Sequence, residues 1–310
     1  MKKWSSLFLV IFFGYLLIAP ESALNSARDG LLLWYHSILP ALLPFMLLCT
    51  LVLRLGLLDE CLPVLYRPIH LLTGCSPYGA FAILTGFLCG FPMGAKITHD
   101  LLAEKKISQS EADWLMGFVN NLSPGFLLSY TACEQMDFSS GRFLFPANVL
   151  GSALLFGILT SLRSRQTFHY SAAASVCPDA VTLFPVIDDC ISSTVQSIVR
   201  LGIYIMMFSM FGSMLRILLP DDHMLTLFLC TILEVTGGIH LIADSALPFS
   251  IRYILVNALC CFGGLCALAQ TAGITSMNRH ALLHYIKSRV LITLLSVLVS
   301  CGSVLFCLFL

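Results

Sequence analysis

Long apolar runs at residues 4–19, 31–53, 143–162, 191–219, 252–272 and 290–310 constrain this chain more than any other feature. A run of about 20 apolar residues, wound as a helix, matches the roughly 30 Å hydrocarbon core of a bilayer. A helix also satisfies its own backbone hydrogen bonds, which a lipid-exposed segment must do. The runs therefore predict an all-α, polytopic membrane protein. Charge supports the same reading, because only 11% of the 310 residues are charged. Soluble chains carry about a quarter, so this chain has too few charges to cover a water-facing surface.

Three further apolar stretches are interrupted. Residues 77–103 break at Gly90-Phe91-Pro92-Met93-Gly94, and 224–249 at Glu234-Val235-Thr236-Gly237-Gly238 and again at Pro248. Residues 114–131 contain Asn120, Asn121, Ser123 and Pro124. Glycine opens backbone angles closed to other residues and proline removes a donor, so each break predicts a helix that stops inside the membrane. Residues 54–75, with Arg54, Asp59, Glu60 and Arg67, form an amphipathic stretch expected at the interface, and polar residues 163–190 are expected to link two halves in the cytoplasm. The N-terminal segment 1–30 reads as an uncleaved anchor span, with a cleaved signal peptide ending near Ala19-Pro20-Glu21-Ser22-Ala23 as the alternative.

Basic residues near span ends indicate the cytoplasmic side. With Lys2 and Lys3 inside, Arg54, Arg67, Arg163, Arg165, Arg279, Lys287 and Arg289 all fall inside only if 77–103 and 224–249 are re-entrant hairpins rather than full crossings. That arrangement predicts two inverted repeats, 31–162 and 191–275, each holding a broken helical hairpin, followed by a C-terminal span within 276–310. The spacing gives a faint internal match, Gly90 and Gly94 with Glu234 and Gly238, and Ser123-Pro124-Gly125 with Gly263-Gly264-Leu265. Transporters of this design bind solute near the midplane, where the interrupted segments meet.

The candidate binding residues follow from those breaks. Gly90, Pro92 and Gly94, with Gly237 and Gly238, would free backbone groups and aim half-helix N-termini at an anion. Lys96 would attract the anion or reach the inner interface. A carboxylate at Glu234 costs about 3 kcal/mol in mid-bilayer, so it is expected to face a cavity or a proton path, or else to bond the freed N–H groups of its own hairpin. Thr236 belongs to the same break. Asn120, Asn121 and Ser123 offer amides and a hydroxyl to a polar solute or to a neighbouring helix, and Gln270, Gly263 and Gly264 are weaker candidates.

Other classes of function find no support. The 17 basic and 17 acidic residues balance, which argues against nucleic acid as a partner. No P-loop, dinucleotide fingerprint, GxSxG or HExxH occurs, so no catalytic residue and no cofactor is expected. Most of the 13 cysteines lie in apolar runs, as small hydrophobes. His280 and His284 sit one turn apart without a further ligand type beside them, so no metal is expected.

Gly90-Phe91-Pro92-Met93-Gly94-Ala95-Lys96 and Asn120-Asn121-Leu122-Ser123-Pro124 resemble the GYPxGAK and NNPSP signatures of the sporulation integral membrane protein YlbJ family, with Met93 and Leu122 as departures. Glu234 to Gly238 and Cys261 to Gln270 resemble its second-half pattern, and the likeness runs from about residue 30 to 275. That family falls in the nucleoside-recognition (Gate) domain group, which resembles concentrative nucleoside transporters with paired hairpins. The resemblance implies a mother-cell membrane protein of endospore formers, linked to passage of dipicolinic acid. The expected partners are a small-molecule anion or nucleoside, the lipid bilayer and further copies of the chain. The expected function is transport of a small planar carboxylate such as dipicolinate across a bacterial plasma membrane. A nucleoside carrier of the same fold and a non-transporting sporulation scaffold are the alternatives.

Overall fold

The computed structural model describes residues 2–55, 58–139, 141–164, 183–219 and 224–309, and among these it is helical throughout with no strand. Helix α1 (Lys2–Ile18) meets α2 (Pro20–Leu33) at a bend of 104°. Pro20 sits in the first turn of α2, where its missing N–H has no intrahelical partner to lose. A π-helical turn, Trp34–Ile38, then leads into α3 (Leu39–Arg54). Pro40 follows that turn and cannot donate to the preceding turn of backbone, which accounts for the local widening. The predicted span 31–53 is thus the second part of a longer helical element that begins in the polar stretch at Pro20.

Amphipathic α4 (Leu58–Thr73) turns through 94° into α5 (Pro77–Cys89). Gly74 supplies the positive φ of the corner, and the Ser76 side chain caps α5 by accepting from the Gly79 N–H. Then come α6 (Met93–Ala103) and α7 (Gln109–Met116). A helix-free stretch leads to the short α8 (Pro124–Phe126), which continues as a π-helix over Leu127–Gln135. Helix α9 (Leu144–Ser164) ends the first half.

The second half holds α10 (Leu183–Leu218), α11 (Met224–Leu233), α12 (Val235–Ala243), α13 (Phe249–Phe262), α14 (Gly264–Thr275) and α15 (Arg279–Phe309). Four described elements are long and apolar enough to cross a bilayer, or six if each bent pair counts as one span. The surface is apolar as well as the interior. Leu9, Val10, Phe13 and Leu17 of α1 and Leu294 and Leu298 of α15 are exposed, as lipid-facing residues should be. Polar residues join helices inside: Asn148 of α9 accepts from Ser296 of α15 at 2.8 Å and donates to Ser300.

Two predicted boundaries are corrected. Residues 183–190, assigned to the connecting loop, form the first turns of α10, on which Asp188 and Asp189 are exposed. At 1.5 Å per residue the 36-residue α10 is about 54 Å long, so it overruns a 30 Å core and extends beyond it. At its other end Arg163 and Ser164 belong to α9, and 165–182 lie outside the described residues. The predicted span 252–272 is broken in its middle at Gly263 and Gly264, both at positive φ, although its pieces still qualify together as one 27-residue span.

Candidate functional site

Both predicted hairpins fold back on themselves, and glycine is the reason. At the first, the Cα atoms of Gly86 in α5 and Gly94 in α6 face each other so closely that a Cβ on Gly86 would lie 3.0 Å from the Cα of Gly94. Both glycines also press on the carbonyl of Val119, in the helix-free stretch after α7. Between them Gly90 turns the chain with φ +82°, backed by Ser123, and the Phe91–Pro92 peptide bond is cis. At the second hairpin Gly238 packs on the carbonyl of Thr231, and a Cβ there would lie 2.7 Å from Leu259.

The two halves use matching contacts. Gly90 backs onto Ser123, where α8 begins; Gly264, where α14 begins, lies against the α11–α12 break, its Cβ position 3.2 Å from the Val235 nitrogen. Each hairpin break therefore rests on the break of the helix that follows it. The halves also interlock. A Cβ on Gly263 would lie 2.8 Å from the Phe91 ring, and the Tyr130 hydroxyl donates to the Thr236 carbonyl at 3.1 Å.

Most predicted site residues are gathered here, but their polar groups are largely spent on the fold. Asn120 is fully buried; its amide donates to Thr271 (2.8 Å) and Tyr285 (3.1 Å), and its oxygen accepts from the Ala95 N–H (3.4 Å). Asn121 donates to the Phe118 carbonyl at 2.7 Å. Ser123 caps α8 by accepting from the Phe126 N–H, and Gln270 donates to the Cys266 sulfur. Lys96 is buried and paired with Asp100 one turn along, at 2.9 Å. Glu234 caps α12, accepting from the N–H groups of Thr236 (3.0 Å) and Gly237 (2.9 Å) and from the Thr236 hydroxyl. The reading in which Glu234 serves its own hairpin thus describes its bonding here, and it remains half-buried at the wall of a cleft.

That cleft has a volume of about 370 Å³ and lies between α2, α10 and the second hairpin. Asp29, Tyr130, Arg216, Glu234, Gly237 and His240 give it polar walls of both signs. A second cleft of about 480 Å³ adjoins it, sharing Ser213, Arg216, Cys230 and Leu241. Glu234, Thr236 and Gly237 are the predicted residues that reach this space; the first hairpin and the two asparagines are sealed behind it.

The residue sequence reasoning missed is Arg289. It was counted as a cytoplasmic flank, and the structure corrects this: its relative exposure is 0%, and it points into the junction of the two halves. One guanidinium nitrogen, Nη1, donates to Asn121 Oδ1 at 3.1 Å and to the Cys261 carbonyl at 3.4 Å. The ring faces of Phe91 and Tyr285 lie 5.6 and 5.3 Å from its Cζ. Its Nε and Nη2 are buried without a hydrogen-bond partner, and among the described residues no carboxylate pairs with it. Arginine stays ionised in proteins, and a buried charge without a counter-ion costs several kcal/mol. A signal existed: Tyr285, Arg289, Ile292, Ser296 and Ser300 recur at helical spacing and form one buried stripe on α15.

The arrangement combines interrupted helices, a cleft with walls of both signs and an unpaired buried cation. Among the described residues no group of three or more His, Cys, Asp or Glu side chains could hold a metal ion. Comparison with known proteins finds the chain similar to the sporulation integral membrane protein YlbJ of Bacillus subtilis (strain 168), with 27% identity over 317 residues. The match covers 89% of this chain and 77% of that protein. No family model and no solved structure matches the chain.

Proposed function

Taking as premise the likeness that supports placement in the YlbJ family of sporulation integral membrane proteins, we propose that this chain is a transporter of a small planar carboxylate. Dipicolinic acid is the first candidate, and the plasma membrane of a sporulating bacterium is the setting. The observation that carries the proposal is the convergence of four helix breaks, at Gly90–Pro92, Asn120–Ser123, Glu234 and Gly263–Gly264, the last of them inside an element of bilayer length. A protein that only needed to sit in a membrane gains nothing by opening four helices at one place. Backbone groups freed in lipid must meet protein, water or solute, and broken elements that meet near mid-membrane are where secondary transporters bind their cargo.

We read the two halves as inverted repeats related through the junction. The matching contacts support this, Gly90 on Ser123 in one half and Gly264 on the α11–α12 break in the other. The cleft beside Glu234 is the entrance in the captured state, and the Arg289 region is closed. In this reading the solute is carried unchanged.

The test is uptake of labelled dipicolinate into proteoliposomes holding the purified full chain, beside a labelled nucleoside and empty vesicles. Saturable dipicolinate uptake above empty vesicles is expected. Nucleoside uptake alone would overturn the substrate class, and uptake of neither by folded protein would overturn transport.

A further inference from the structure

Arg289 has a free binding edge. In a guanidinium the Nε–H and one Nη2–H point the same way, along the edge opposite Nη1, and two parallel donors at this spacing match the two oxygens of one carboxylate. Nη1 is occupied by Asn121 and the Cys261 carbonyl, which fixes the plane of the group. Nε and Nη2 are the two atoms left without partners. The side chain is thus held by one edge and open at the edge that takes a carboxylate in bidentate fashion.

Its neighbours connect this edge to the cleft. Glu234 lines the cleft, and the nitrogen of Val235 beside it lies 3.2 Å from a Cβ position on Gly264. Gly263 touches Phe91, whose ring stacks on the guanidinium. The α13–α14 break and the Phe91 ring of the first hairpin thus link the two. Phe91 belongs to the hairpin tip, so movement of that hairpin would uncover Arg289, and a planar aromatic solute could take the place of the ring on the guanidinium face.

We propose that Arg289, through Nε and Nη2, is the counter-charge that binds a carboxylate of the transported anion, with Asn121 as the positioning residue that holds the guanidinium and Phe91 as the ring displaced on binding. The inference rests on the transporter reading and specifies the site within it. Lys96, already paired with Asp100, takes no part.

The test uses the full chain in detergent with pyridine-2,6-dicarboxylate and its uncharged diamide as probes, in wild-type protein, Arg289→Lys and Arg289→Gln. The dicarboxylate should raise the melting temperature of the wild type and the diamide should not. Affinity should fall at least tenfold in Arg289→Lys, which keeps the charge and loses the paired donors, and further in Arg289→Gln. Equal stabilisation of the wild type by the diamide would overturn the assignment without needing either variant to fold. So would unchanged affinity in Arg289→Lys, and in both cases uptake by the wild type would leave the transporter reading standing. A wild type that neither binds nor carries the dicarboxylate would instead bring down the transporter reading, and the assignment with it.

Discussion

Gly94 sits where the first hairpin, its partner strand of backbone and Gly86 are all in contact, so a single methyl group has nowhere to go. The neighbours at Gly86 and Gly94 are backbone atoms of Val119 and of each other, which cannot rotate aside as a side chain would. Overpacking of this kind costs about 1–3 kcal/mol, and Gly86→Ala or Gly94→Ala should lower the melting temperature in detergent accordingly. Gly125→Ala, with nothing within 4 Å of its Cβ position, is the control and should change stability by less than about 0.5 kcal/mol. At this scale the glycines were legible, because few residues but glycine and proline stop a helix in an apolar run. Lys96 was legible only in part: Asp100, four residues on, announced an i, i+4 pair that the break beside Lys96 drew attention away from. Arg289 was misplaced because it immediately precedes the apolar run 290–310, where a basic residue ordinarily marks an interface.

Helix α12 is short, and its first turn depends on the Glu234 carboxylate. Glu234→Ala leaves the Thr236 and Gly237 N–H groups without their acceptor, which should cost about 1 kcal/mol and loosen the second hairpin in a melting experiment. Glu234→Ser, a good cap, should recover most of that loss. Transport separates the capping role from proton coupling: if Glu234 carries a coupling proton, Glu234→Gln uptake loses its pH dependence, and an unchanged profile leaves Glu234 as a cap alone. Elements bounded by polar or proline breaks were readable from hydropathy. The break at Gly263 was not, because Cys261, Phe262 and Leu265 keep the run apolar across it. The reason for that break is tertiary, since Gly263 meets Phe91 and Gly264 meets the second hairpin. The start of α10 at Leu183 was hidden likewise, since Asp188 and Asp189 read as loop composition but lie exposed on the helix.

Over the whole molecule, hydropathy and basic flanks predicted a polytopic helical protein with two hairpins, and the helices and fold-backs are as expected. What sequence could not supply is how the halves meet. The bonds from Asn120 to Thr271 and Tyr285 and from Arg289 to Asn121 link residues more than 150 positions apart, and no local pattern encodes such pairings. Each half contributes to one junction, so the transport proposed above would work by rocking one half against the other, with one site that faces each side in turn. The direct measurement is counterflow. Vesicles holding the protein are preloaded with unlabelled dipicolinate and diluted into a trace of the labelled compound. A single alternating site predicts a transient accumulation of label inside, above its external concentration, which then decays as the unlabelled gradient runs down. Label that merely rises to equilibrium without overshoot would contradict the account.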